Sequence, residues 1–328
     1  MSNFFNFKPR LRAPIVCLFS LLPLLVMAKP ATFNANDTAV GSITKPSLAS
    51  NEGMVEGIFY QTFGSGRPVL IINGGPGLDS AGFEPVAKAI AAKGYQTILF
   101  DQRGTGRSTL PKIDGSTIQM SLMVEDIEKL RSHLKQPKFT ILGHSFGGML
   151  GAAYAAKYPE HVEKLIFSSA GGLDLSFREQ FSKRFNANLT LTEQAKMQAY
   201  QLQQAAGDDS AETRDALALV RAHAYVIDKS KAPAIAARLK VVNMAINGLV
   251  YQDLEKIQFD LKSSFRDFKA PVLVLQGDKD VIGVDTAKTI ANSFPDARLV
   301  IISNCAHYGW LDSAELYYAS VFEFIQAP

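Results

Sequence analysis

Cysteine is almost missing from this sequence: Cys17 and Cys305 are the two in 328 residues. Such a pair supplies neither a disulfide framework nor a cysteine-based zinc site. Tryptophan occurs once, as Trp310. Charge of one sign is missing as well. The chain carries 34 basic and 31 acidic residues, and three of the basic ones, Lys8, Arg10 and Arg12, precede residue 29, where no acid occurs. Beyond that point 31 basic residues face 31 acidic ones, so no basic field remains to attract nucleic acid. Repeats and low-complexity tracts are lacking. With 47% hydrophobic and 20% charged residues, a disordered, collagen-like or coiled-coil chain is excluded. The length suits one large domain with an insertion, or two domains.

The N-terminus reads as a targeting segment. The three basic residues precede an apolar run over 13–28, and Val26 and Ala28 suit the small positions of a cleavage site before Lys29. The run falls short of the roughly 20 apolar residues of a membrane span, and Pro14 and Pro23 interrupt it. The expectation is a signal peptide over 1–28 and a secreted or periplasmic chain without a stable span, with an uncleaved anchor as the alternative. A flexible leader is expected over 29–52. Export would leave Cys305 as an odd thiol, best read as a small buried side chain. Two Asn-x-Thr sequons, at Asn36 and Asn188, matter only in a glycosylating host.

From there strands and helices alternate. Strands are expected at 57–63, 68–72, 95–100, 139–142, 162–168, 271–276 and 298–302. Helices are expected at 84–93, 122–134, 149–157, 286–293 and 314–325, with Leu122, Ile127, Leu130 and Leu134 facing inward on the second. The alternation predicts an α/β fold, a mostly parallel sheet with helices on both faces. Fully apolar strands such as VLVLQ agree, being covered on both sides. The stretch 173–268 differs: it is rich in Ala, Gln, Lys and Arg, with helices expected at 192–206, 213–226 and 233–247. It reads as a helical cap inserted into a core of 53–172 and 269–328.

Gly143-His144-Ser145-Phe146-Gly147 is a G-x-S-x-G pattern between an apolar strand and a small-residue helix. That setting is a nucleophile elbow, where the sharp turn lifts the serine hydroxyl above the sheet. The alternative is a serine in a structural turn. Of five histidines, His307 follows the last strand and stands at the C-terminal sheet edge, where ligands bind. His133 falls on a surface helix, His144 points away from the nucleophile, His161 precedes a strand and His223 belongs to the cap. The acid lies between Ser145 and His307 in the chain. Asp280 is preferred over Asp278, a turn former, and over the more distant Asp174. In these roles His307 takes the serine proton and Asp280 orients the imidazole, chemistry that needs neither metal nor cofactor.

Asn73-Gly74-Gly75-Pro76-Gly77 follows another strand. The backbone N–H groups of Gly75 and Phe146 are the expected oxyanion donors, with Asn73 and Gly74 as loop support. The segment 101–108, DQRGTGRS, lacks the spacing of a phosphate loop. Asp101 and Arg103 are expected to brace it by charge-assisted hydrogen bonds.

Together NGGPG (73–77), DQRGTGRS (101–108), GHSFGG (143–148), GDKD (277–280) and the late His307 resemble the α/β-hydrolase superfamily. Within it the chain is similar to the prolyl aminopeptidase (proline iminopeptidase) family. The resemblance implies a serine exopeptidase that removes N-terminal proline without a metal, under a helical cap. Serine at the elbow separates the chain from dehalogenases and epoxide hydrolases, which carry aspartate there. Three departures are visible. The family usually has His where Asn73 stands, and Gly and Trp around the serine where His144 and Phe146 stand. Its cap usually carries Trp-Glu motifs that hold the peptide amine, whereas Glu179, Glu193, Glu212 and Glu255 sit in no such motif and read as solvated. The expected substrate is a short peptide or a small molecule: first a peptide with N-terminal proline, second a small ester or lactone. A catalytically silent binding protein on this fold is the third reading.

Overall fold

A computed structural model describes residues 50–327. The expected signal peptide, Cys17 and the Asn36 sequon lie outside them.

Eight strands form one sheet: β1 (Ser50–Val55), β2 (Ile58–Phe63), β3 (Arg67–Ile72), β4 (Tyr95–Phe100), β5 (Phe139–His144), β6 (Val162–Ser168), β7 (Val272–Gly277) and β8 (Ala297–Ile302). Their order is β1-β2-β4-β3-β5-β6-β7-β8. The pairs β1–β2 and β2–β4 are antiparallel and the rest are parallel. The helices between them are α1 (Glu84–Ala91), α2 (Met120–His133), α3 (Phe146–Lys157), α9 (Val284–Asn292), a short α10 (Gly309–Asp312) and α11 (Ala314–Gln326). The cap adds α4 (Arg178–Ala187), α5 (Leu191–Ala205), α6 (Ala211–His223), α7 (Ala232–Leu239) and α8 (Met244–Lys256), all between β6 and β7.

Successive residues of a strand point to opposite faces, and that alternation divides the core in two. Leu70 and Ile72 of β3 pack with Met123, Ile127, Met149 and Ile290, from α2, α3 and α9. Val69 and Ile71 pack with Val86, Ile90, Tyr317 and Val321, from α1 and α11. Helices therefore cover both faces, and the chemistry-bearing loops emerge at the C-terminal ends of the parallel strands.

Several boundaries differ from expectation. Ser50–Val55 already forms β1, so the last three residues of the leader expected through residue 52 belong to a strand. The helix expected at 233–247 is two, α7 and α8. Asn243 separates them in an extended conformation, and its Oδ1 caps α8 by accepting from the N–H groups of Ala245 and Ile246 at 3.1 and 3.2 Å. Helix α4 has no counterpart in the sequence reading, because its inward face is only the half-buried pair Phe181 and Phe185, on an otherwise polar helix that fully buries none of its residues. The tail of the expected cap belongs with the core: Phe265 stacks on Phe294 with ring centroids 4.2 Å apart, and Phe268 packs at 5.4 Å.

The loop after β4 is braced as expected, though by separate partnerships. Asp101 accepts from the backbone N–H and hydroxyl of Ser80 at 2.9 and 2.8 Å and from the Arg107 N–H at 2.8 Å. Arg103 instead forks onto Asp126 of α2 at 2.6 and 2.7 Å and donates to the carbonyls of Thr117 and Leu122. Burial pushes the Asp126 carboxyl up, against the guanidinium, which holds it down. Removing one partner of a buried pair leaves the other charge uncompensated. Arg103→Met is therefore expected to cost about 3–5 kcal/mol, seen as a lower urea midpoint at unchanged slope. A loss below about 1 kcal/mol would mean that Asp126 relaxes into water or takes a proton.

Candidate active site

Ser145 sits between β5 and α3 with φ 54° and ψ −121°. This is the left-handed side of backbone space, unusual for a residue with a Cβ and worth about 1–3 kcal/mol of strain. The surroundings hold it there. Its N–H donates to Ser168 at 3.0 Å, and its carbonyl accepts from Gly148 and Gly171 at 3.0 and 3.1 Å. Gly147 is obligatory, because a Cβ there would lie 2.1 Å from the Ile72 carbonyl oxygen. The turn places the Phe146 N–H in the first turn of α3, where no intrahelical acceptor exists. Among the described residues it donates to no protein acceptor, and neither does the Gly75 N–H.

The loop 73–77 leans over this elbow. Asn73 is fully buried; its Nδ2 donates to the carbonyls of Gly74 and Leu78 at 3.2 and 3.0 Å, and its carbonyl accepts from Gln102. Gly74 packs so closely that a Cβ there would meet Ser145 Cβ at 2.6 Å. Gly75 lines the cavity above the serine.

The loops after β7 and β8 are tied together: the Asp278 N–H donates to Ile302 at 3.0 Å and the Lys279 N–H to Cys305 at 2.9 Å. That tie brings Asp280 to His307, with Nδ1 and Oδ1 2.9 Å apart and both residues buried. Asp280 Oδ1 also accepts from the Ile282 N–H at 2.9 Å. Burial raises the Asp280 carboxyl, but the His307 charge, its hydrogen bond and the Ile282 N–H outweigh this and hold it below the usual carboxylate range. With Asp280 accepting at Nδ1, the imidazole keeps Nε2 as its free basic nitrogen. Asp278 Oδ1 accepts from the Cys305 N–H, the turn role expected of it, and Asp174 pairs with Lys262. Cys305 itself is buried, and desolvation pushes its thiol up to about 12.

Ser145, His307, Gly75 and Phe146 line one cavity of about 560 Å³. No hydrogen bond joins the Ser145 hydroxyl to the His307 imidazole among the described residues. Such bonds are commonly loose before substrate arrives. The arrangement can deliver an alkoxide-like oxygen to an acyl carbon and receive the resulting oxyanion on two backbone donors.

Two lining residues escape the sequence reading. His144 does not point away: its ring lies 4.6 Å from that of His307 and 4.8 Å from Trp310, and it borders the cavity. Burial pushes its imidazole well below the ordinary range, helped by the nearby charges of His307 and Arg238. The folded state thus keeps His144 neutral where the unfolded chain, with a pKa of about 6.5, takes up a proton. Stability falls as the pH drops below that value, by up to about 1.4 kcal/mol per pH unit for one group. His144→Gln is expected to flatten the fall in Tm between about pH 6.5 and pH 5; equal slopes would assign the titration elsewhere. The second residue is Arg238 of α7, which reaches into the cavity from the cap. Of the cap glutamates weighed from sequence, Glu193 closes a capping box with Thr190, Glu255 pairs with Arg178, and none lines the cavity.

The cap is fastened to all three loops. The Asn243 N–H donates to Gly77 at 2.8 Å, the His307 N–H donates to Tyr225 at 3.0 Å, and Asn188 Nδ2 donates to Lys279 at 2.7 Å. The amide of the Asn188 sequon is thereby engaged in structure.

The family model described as alpha/beta hydrolase fold matches residues 67–314. The chain belongs to the alpha/beta hydrolase family. Within this family it resembles a proline iminopeptidase of Heyndrickxia coagulans, 26% identical over 281 residues that cover 82% of this chain and 95% of that one. The fold is shared with the crystal structure of a proline iminopeptidase of Mycobacterium smegmatis, at TM-score 0.62 and 21% identity over 84% of this chain and 97% of that one. It is shared equally with an esterase of Exiguobacterium antarcticum, at TM-score 0.64 and 19% identity over 82% and 96%. This alpha/beta hydrolase therefore has peptidase-like relatives in sequence, and its fold is common to peptidases and esterases.

Proposed function

We propose that the protein is a serine hydrolase of small carboxylic esters, working through an acyl-enzyme. Ser145 attacks the ester carbonyl while His307 Nε2 takes its proton, and the oxyanion settles on the N–H groups of Gly75 and Phe146. The tetrahedral intermediate collapses as the imidazolium protonates the leaving alcohol. A water then repeats the sequence and releases the acid. Asp280 holds the imidazole in the required tautomer throughout. We propose in addition that residues 1–28 direct export.

One observation carries the choice of ester over peptide: among the described residues, no Asp or Glu lines the cavity. A substrate with a free N-terminal amine brings a positive charge, which a confined site must pair with a carboxylate. The walls are mostly apolar and aromatic, among them Phe177, Phe181, Tyr225, Met244 and Tyr251. The second reading, a prolyl aminopeptidase, draws on the names of the sequence relatives and on the NGGPG and DQRGTGRS motifs. Parallel assays of p-nitrophenyl esters and prolyl p-nitroanilide separate the two. The ester is expected to have the larger kcat/KM, and a larger value for the prolyl substrate would establish the second reading. A fluorophosphonate probe is expected to label the protein at Ser145; a chain that resists labelling would be a silent binding protein.

A further inference from the structure

Two arginines line the cavity, and they differ in their partners. Arg178 pairs with Glu255, and both side chains are about half exposed, so its charge is met at the mouth. Arg238 has no carboxylate within ion-pair distance among the described residues, and its Nε is buried without an acceptor. Its remaining ties are weak: Nη2 reaches the Asp79 carbonyl at 3.4 Å, and the guanidinium lies 5.2 Å from the Phe83 ring centroid. It sits on the catalytic side, close enough for its charge to act on the buried His144 and Tyr308 rings, which pack against His307 with centroids 4.6 and 5.3 Å away. An arginine cannot shed its proton to escape this setting. A half-buried cation with spare donors, in a cavity with no acid, favours an anion. Its planar fork matches a carboxylate in two parallel hydrogen bonds.

We propose that Arg238 is the specificity-determining residue of the cavity, and that the preferred substrates are esters bearing a carboxylate, which the guanidinium binds while Ser145 attacks the ester carbonyl. The assignment rests on the ester-hydrolase reading given above. It also accounts for a cavity that carries cations where an amine-binding site would carry acids.

A matched pair of substrates tests it. p-Nitrophenyl valerate and the p-nitrophenyl monoester of glutarate have the same chain length and differ in ending as methyl or carboxylate. The wild-type protein is expected to favour the anionic ester. Arg238→Gln is expected to cut the anionic-to-neutral ratio of kcat/KM by about 10- to 100-fold, mainly through KM, the range of a charge-assisted hydrogen-bonded pair. Arg238→Lys is expected to restore part of the ratio, since charge survives but the fork does not. A ratio equal in the wild type and Arg238→Gln, or a fall in both substrates by the same factor, would overturn the assignment and leave the Ser145 chemistry standing. If Arg238→Gln fails to fold, competition by free glutarate against the neutral ester in the wild type decides. Competitive inhibition weakened in Arg238→Lys supports the proposal, and no inhibition sinks it. Failure of the underlying reading is distinct: neither ester would turn over, or Ser145→Ala would still hydrolyse both.

Discussion

Ser145→Ala is expected to lower kcat for ester hydrolysis by roughly 10⁴-fold or more, with fluorophosphonate labelling abolished. The expectation follows from the role proposed for the serine, which forms the covalent bond while its partners act on it rather than beside it. The loss should fall on kcat, because the cavity walls that bind substrate are untouched. Stability provides an independent check. Alanine at φ 54° keeps the strain that serine bears, whereas glycine does not. Ser145→Gly is therefore expected to melt at a higher temperature than Ser145→Ala while being equally inactive. Residual activity above about one part in a hundred in either variant would remove the serine from its role.

Asp280→Asn is expected to cost on the order of 10⁴-fold in kcat as well. An amide can donate to His307 Nδ1 and so stabilise the tautomer whose Nε2 carries the proton, which cannot serve as a base. The change is nearly isosteric, so the sheet and the cap should persist in circular dichroism. Its pH signature is specific. The folded carboxyl titrates below its ordinary value of 3.8, so the stability it contributes is present above that pH and lost as the pH falls through the folded value. The Asp280→Asn variant would lack this acid limb. A variant retaining about a tenth of the wild-type kcat would shift the orienting role to another acid.

Much of this is legible from local pattern. Apolar strands flanked by amphipathic helices specify a covered parallel sheet, and chain order then limits which acid and which histidine can stand at the same edge. That logic reaches Ser145, Asp280 and His307 because each closely follows the end of a strand. It fails where direction depends on tertiary contact. Adjacency to the serine suggests that His144 points away, but the left-handed turn at Ser145 places neighbouring side chains over the same cavity. Arg238 lies on a cap helix whose apolar stripe, Ala232, Ile235 and Ala236, follows ordinary helical spacing, but nothing in that spacing tells that an arginine beside the stripe borders the cavity. The Arg103–Asp126 pair joins a loop to a helix 23 residues away, and charge spacing alone carries no sign of it.

The fastening of the cap has a practical consequence. Asn243 grips Gly77, and Asn247 grips Pro76, within the very loop proposed to supply one of the oxyanion donors. Swinging α8 aside to admit a bulky molecule would drag that loop out of register with the elbow. Gradual warming should thus silence the enzyme while the sheet is still intact, and a crosslink anchoring α8 to the loop would prolong its working life more than one placed anywhere in the core.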